Sequence, residues 1–153
     1  MKGGLGGISR TSQNAQDFSI IFEEEDSNVK EATEVVLDLI KACNSKDIDA
    51  ALALFHEGSI YDNIPLQPVT GLTAIRAALE PSLRIAKQVD WVVQNIADNG
   101  KGVVLTERND RFLLAGGWCE MPVMGVFEIK DGRIDAWRDY FDMQSAQPLL
   151  AAL

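Results

Sequence analysis

Arg108 and Asp110 in the run TERND, and Asp139 in the run WRDYFD, are the residues of this chain whose types and spacing best suit chemistry. Arg108 and Asp110 lie two apart, so on a β-strand both side chains project from the same side of the sheet. Asp139 stands between Trp137 and Phe141, which share its strand face and are bulky and apolar. A carboxylate in such company requires an ion-pair or hydrogen-bond partner. An arginine flanked by two carboxylates offers a route to one neutral and one ionised acid at the same pH. The outline is that of an acid–base site. Tyr61 and Asn63, again two apart, add a phenol and an amide to one strand face. Taken singly, each has a plain structural reading: an ion pair in a sheet, a strand anchor, a core-edge tyrosine, a turn asparagine. The set together carries the argument.

The elements that must position these groups follow from periodicity and turn chemistry. Val29, Ala32, Val35, Val36, Leu39, Ile40 and Cys43 follow amphipathic helical spacing. Ser27 or Asn28 can cap that helix, and Glu31 stands three residues after Asn28, as in a capping box. A second helix is predicted over Asp47 to Phe55, with His56 at its C-terminal end, a position that suits histidine electrostatically and gives it no catalytic part. Ser59 to Asn63 reads as a short strand ended by IPLQPVTG. Thr70 is placed to cap a third helix running through Leu79, with a boundary near Pro81. The period then changes to two. Strands are predicted at Val89–Ala97, Gly102–Leu114, Trp118–Lys130 and Arg133–Asp142, with reversals at Asp98–Gly100, Gly116–Gly117 and Asp131–Gly132. Gln144 to Leu153 reads as a terminal helix. Helices followed by a meander of long strands imply an α+β domain, with a curved sheet whose concave face the helices partly close.

Length and composition agree with one domain over residues 26–153, preceded by a Gly/Ser/Asn/Gln-rich arm over residues 1–25. That arm is expected to be mobile at its tip, and its Phe18–Phe22 run could dock on the domain or on a partner chain. The chain has 153 residues, 46 % of them apolar, enough for a sizeable core. A net charge of -9 without a Lys/Arg cluster argues against nucleic acid and against an anionic membrane surface. No apolar run is long enough to span a bilayer, and MKGGLGG lacks the apolar stretch of a secretory signal, so a cytoplasmic location is the default. Two cysteines, Cys43 and Cys119, and one histidine form no metal-ligand cluster of usual spacing and read as reduced structural thiols and a helix-end imidazole.

Three segments resemble the limonene-epoxide-hydrolase family of the nuclear-transport-factor-like superfamily: YDNIPL at Tyr61 to Leu66, TERND at Thr106 to Asp110, and GVFEIKDGRIDAWRDYFD from Gly125 to Asp142. The resemblance extends over roughly Val29 to Asp142. It implies a cone-like half-barrel, a curved, mostly antiparallel mixed sheet with helices covering a deep apolar pocket, usually in a homodimer packed through the outer sheet face. It also implies roles. Residues matching Tyr61, Asn63 and Asp139 hold and activate a water, Asp110 protonates the epoxide oxygen, and Arg108 bridges the two aspartates. The expected activity is cofactor-independent hydrolysis of a small apolar epoxide to a vicinal diol, with neither cofactor nor metal. Met121, Met124, Leu83, Ile85, Phe112, Leu114, Trp118, Phe127 and Phe141 are candidates for core or pocket wall, which periodicity cannot separate. Arg138 and Tyr140 fall on the face opposite Asp139, as a homodimer surface would require. Two other readings of the fold remain at this point: an epoxide-opening cyclase, or another isomerase or dehydratase; and a non-catalytic binding or dimerisation domain.

Overall fold

The computed structural model describes residues 29–153. The N-terminal arm, its Phe18–Phe22 run and the caps considered at Ser27 and Asn28 lie outside the described residues. Four helices and six strands follow in the order α1 (Ala32–Asn44), α2 (Ile48–Leu52), β1 (Phe55–Asn63), β2 (Val69–Thr70), α3 (Leu72–Ile85), β3 (Gln88–Asp98), β4 (Val103–Leu114), β5 (Gly117–Lys130), β6 (Arg133–Phe141) and α4 (Met143–Ala152). The strands form one open, curved sheet in the order β2-β1-β6-β5-β4-β3. Among the described residues only β1 and β6 run parallel; the other neighbours are antiparallel. Helix α1 packs on β3, β4 and β5, α3 on β1 and β2, and α4 on β5 and β4. Among the described residues no helix is long and apolar enough to cross a membrane.

Strand alternation decides which side chains meet the helices. On β4, Val104, Thr106, Arg108, Asp110, Phe112 and Leu114 are all buried; on β5, Cys119, Met121, Val123, Gly125 and Phe127 are buried beside them. On β6 the alternation breaks. Ile134 pairs with Ile129 and Ala136 with Glu128, so Asp135 is an extra residue that shifts the parity. Ile134 and Trp137, three apart, are therefore both fully buried. The Asp131–Gly132 reversal closes this hairpin with positive φ at both residues, 52° and 73°, the pair of values a two-residue turn of this hand requires.

Several local expectations are corrected by contacts distant in sequence. Helix α2 ends at Leu52, and β1 begins at Phe55 rather than Ser59, because Phe55 pairs with Ile134 and the Leu54 carbonyl accepts from Ile134 N at 2.8 Å. His56 consequently sits in a strand, not at a helix end. Its Nε2 lies 3.0 Å from Asp135 Oδ1, and its Nδ1 accepts from Gly58 N at 3.0 Å. Thr70 pairs with Ile60 in β2, leaving Gly71, at φ 90°, to open α3. That helix continues through Pro81 to Ile85, because Leu79, Ser82 and Leu83 are buried along its length and that burial offsets the one backbone bond proline removes. Helix α1 starts at Ala32 with Glu31 at its N-cap and no side-chain cap bond, while Val29 lies outside it and is half exposed.

Candidate active site

Register brings the polar residues together in layers across the sheet. Thr106 on β4, Gly125 on β5 and Asp139 on β6 face one another in a row. Next along the same face comes the row Arg108, Val123 and Phe141, and beyond it Trp91, Asp110 and Met121 form another. The parallel β1–β6 pair sets Tyr61 beside Trp137 and Asn63 beside Asp139. Sequence separation is large, but the sheet makes these residues neighbours.

Arg108 holds the centre. It is 1 % exposed, and all five of its N–H donors are engaged. Nε donates to Asp110 Oδ1 at 3.0 Å and Nη2 to Asp110 Oδ2 at 2.9 Å. Nη2 also donates to Asp139 Oδ2 at 2.8 Å, and Nη1 to Asp139 Oδ1 at 3.2 Å. The remaining Nη1 proton goes to Thr106 Oγ1 at 3.0 Å. Trp91 and Phe127 present their rings to the guanidinium, with centroids 5.4 and 5.8 Å from Cζ, within cation–π range. Trp137 completes the setting of Asp139. Its indole N–H donates to Oδ1 at 2.7 Å while its ring stacks between Tyr61 and Phe127, at centroid distances of 4.1 and 5.5 Å.

Burial and charge act in opposite directions on these groups. Desolvation between Trp91 and Met121 pushes the Asp110 carboxyl up, Arg108 draws it down, and the Asp139 charge pushes it up again; the outcome is a rise to about 6 from the ordinary 3.8. Burial works against the Arg108 charge, but Asp139 and Asp110 more than offset it, so the guanidinium is held above its ordinary range. Burial, then the Asp139 charge, drives the Tyr61 hydroxyl well above its ordinary value, and it stays a neutral O–H. A carboxyl that keeps its proton up to about pH 6, well beyond the ordinary carboxylate range, and a neutral phenol thus face a cavity.

That cavity measures about 130 Å³ and is walled by Trp91, Phe112, Met121, Val123 and Phe141 from the sheet and by Leu79, Ala146 and Leu149 from α3 and α4. Tyr61, Asn63, Asp110 and Asp139 line its polar end, while partly exposed Leu66, Leu150 and Leu153 line its mouth. A larger cleft of about 640 Å³, bordered by Lys30, Glu34, Asp98, Lys101 and Asp131, shares no residue with it.

Of the wall candidates from sequence, Met121, Phe112 and Phe141 line the cavity, and the others do not. Met124 and Trp118 have the opposite strand parity and lie on the outer face, 51 % and 40 % exposed, with Trp118 under the Arg111 guanidinium. Leu83 and Leu114 are buried in the core away from the cavity, Phe127 lies beneath Arg108, and Ile85 is 47 % exposed. Sequence reasoning missed Thr106, Trp91, Gly125 and the α4 leucines. Thr106 was within reach, being two residues before Arg108 on the same strand face.

Residues 30–151 match the limonene-1,2-epoxide hydrolase catalytic domain. The chain belongs to the limonene-1,2-epoxide hydrolase family. An epoxide hydrolase, EphG of Mycobacterium tuberculosis, is 32 % identical over 106 residues, 68 % of each chain. Among solved structures, an M. tuberculosis hydrolase described as like limonene-epoxide hydrolase aligns with a TM-score of 0.65 and 30 % identity, covering 78 % of this chain and 89 % of that one. A SnoaL-like polyketide-cyclase homologue from Shewanella putrefaciens aligns with a TM-score of 0.69 over 82 % of this chain and 99 % of its own, at 16 % identity, a likeness of fold alone. Within the limonene-1,2-epoxide hydrolase family the supported activity is epoxide hydrolysis in general.

Proposed function

We propose that this protein opens a small apolar epoxide to a vicinal diol by direct attack of water, with no covalent enzyme ester and no cofactor. The observation that carries the reading is Arg108 bonded at once to Asp110 and Asp139 at the polar end of an apolar cavity. An epoxide carbon is a poor electrophile until its oxygen begins to receive a proton, so acid catalysis must accompany attack. Neutral Asp110 supplies that proton. Asp139, ionised, takes a proton from a water held with Tyr61 and Asn63 as that water's oxygen bonds to a ring carbon and the ring C–O bond breaks. Asp110 is left ionised and Asp139 neutral, and the two exchange protons through solvent or across the Arg108 bridge before the next turnover.

The cavity suits a compact ring. Its volume is near that of apolar cavities that take up benzene, so a six-membered cyclic epoxide fits and a larger terpene epoxide needs Leu66, Leu150 and Leu153 to move aside. The molecule works as a homodimer packed through the outer sheet face, where Met124 and Tyr140 stand opposite each other in register, both exposed.

Turnover of cyclohexene oxide, limonene oxide and styrene oxide in oxygen-18 water tests the reaction. The expected product is a diol with one labelled oxygen, formed fastest from cyclohexene oxide, with no label in the protein after one turnover. Asp139→Asn is expected to lower the rate by about 10²–10⁴-fold with the fold retained. Label entering the protein would mean a covalent ester. Absence of turnover from all three, none of which carries a hydroxyl to close a ring, would favour a cyclase with a narrower substrate, then a binding domain.

A further inference from the structure

Gly125 lies mid-strand in β5 between Thr106 and Asp139, and its φ is not in the left-handed region, so its backbone could accommodate any residue. What forbids a side chain is space. A Cβ there would meet Arg108 Nη1 at clashing distance, Thr106 Oγ1 at 2.7 Å and Asp139 Oδ1 at 2.9 Å. The guanidinium of Arg108 starts on β4 and bonds a carboxylate on β6, and the strand between them is β5. It passes over Gly125. Thr106 then accepts the one Nη1 proton that neither aspartate takes.

We propose that Gly125 and Thr106 are positioning residues for the acid–base pair. Gly125 is the aperture through which Arg108 reaches Asp139, and Thr106 fixes the guanidinium plane that holds both carboxylates at once. Neither touches substrate; both act through Arg108. This inference rests on the epoxide-hydrolysis reading for its kinetic readout, but not for its structural one.

The test uses Gly125→Ala, Thr106→Val and Thr106→Ser. The three atoms nearest a Cβ at position 125 all belong to side chains, so Gly125→Ala is expected to fold with Arg108 displaced rather than the strands parted. Its kcat should fall about 100-fold, the scale of a misplacement of about 1 Å, with KM changed less than about threefold. Thr106→Val, which keeps the shape and loses the acceptor, should lower kcat about tenfold, while Thr106→Ser should restore it to near the native value. A crystal structure of Gly125→Ala should show the Arg108–Asp139 bonds broken and the Arg108–Asp110 bonds kept. A folded Gly125→Ala with native kcat, or with both carboxylates still bridged, overturns the proposal, as does Thr106→Val matching Thr106→Ser. Should Gly125→Ala not fold, the Thr106 pair decides by the same criterion. Should the native protein open no epoxide, the functional reading falls, and the Arg108–Asp139 contact in the Gly125→Ala structure still decides the positioning claim.

Discussion

Trp137 donates its indole N–H to Asp139 Oδ1 at 2.7 Å, two residues along the same strand and on the same face. The indole is fully buried and clamped between the rings of Tyr61 and Phe127. It therefore links the aromatic stack of the core to one oxygen of the carboxylate, leaving the orientation of Asp139 little freedom.

Trp137→Phe keeps most of the stack and deletes the donor. The expected result is a kcat lowered about tenfold with KM nearly unchanged, and a stability loss of about 1–2 kcal/mol, the scale of one hydrogen bond to a charged group plus some lost packing. Steady-state kinetics and thermal unfolding of the variant check this. A kcat equal to that of the native protein would remove Trp137 from the set that orients Asp139.

Asp110 supplies a pH dependence of known sign. Its neutral form is the competent acid, and its carboxyl is raised to about 6, so kcat/KM should decline as pH rises through about 6. Folding is linked in the same sense. A carboxyl whose folded value exceeds its unfolded one stabilises fully below the unfolded 3.8, and that stabilisation is lost as pH rises through about 6. Denaturant titrations across this window should show native stability falling with pH, and Asp110→Asn should flatten the slope. A rate profile that stays level to pH 8 would contradict the acid role.

The outer face of the sheet gives a third expectation. Met124 and Tyr140 pair across β5 and β6 and are each about half exposed, with exposed Leu105 on β4 of the same sheet. If two copies bury this face, Met124→Glu combined with Tyr140→Glu should halve the sedimentation mass while leaving the circular-dichroism spectrum intact. A native protein already sedimenting as one chain at micromolar concentration would end the dimer proposal.

Much of the architecture was open to reading from the chain because its causes are local. Strand alternation placed Arg108 with Asp110 and Tyr61 with Asn63, and the Asp131–Gly132 reversal followed from turn chemistry alone. What failed locally failed through distant partners. The start of β1 is decided by Ile134, and α3 outlasts Pro81 because the core covers it.

By itself, then, the sequence determined which residue types could form an acid–base pair and on which strand faces they stand. Tertiary structure decided that they meet. The parallel pairing of β1 with β6 sets Asn63 beside Asp139 across 76 positions, the bulge at Asp135 puts Ile134 and Trp137 on one side, and Gly125 leaves the gap that Arg108 crosses. The physical reason is common to all three. Side-chain direction alternates by a rule each strand obeys alone, but register, bulges and the space between strands exist only once the strands are paired.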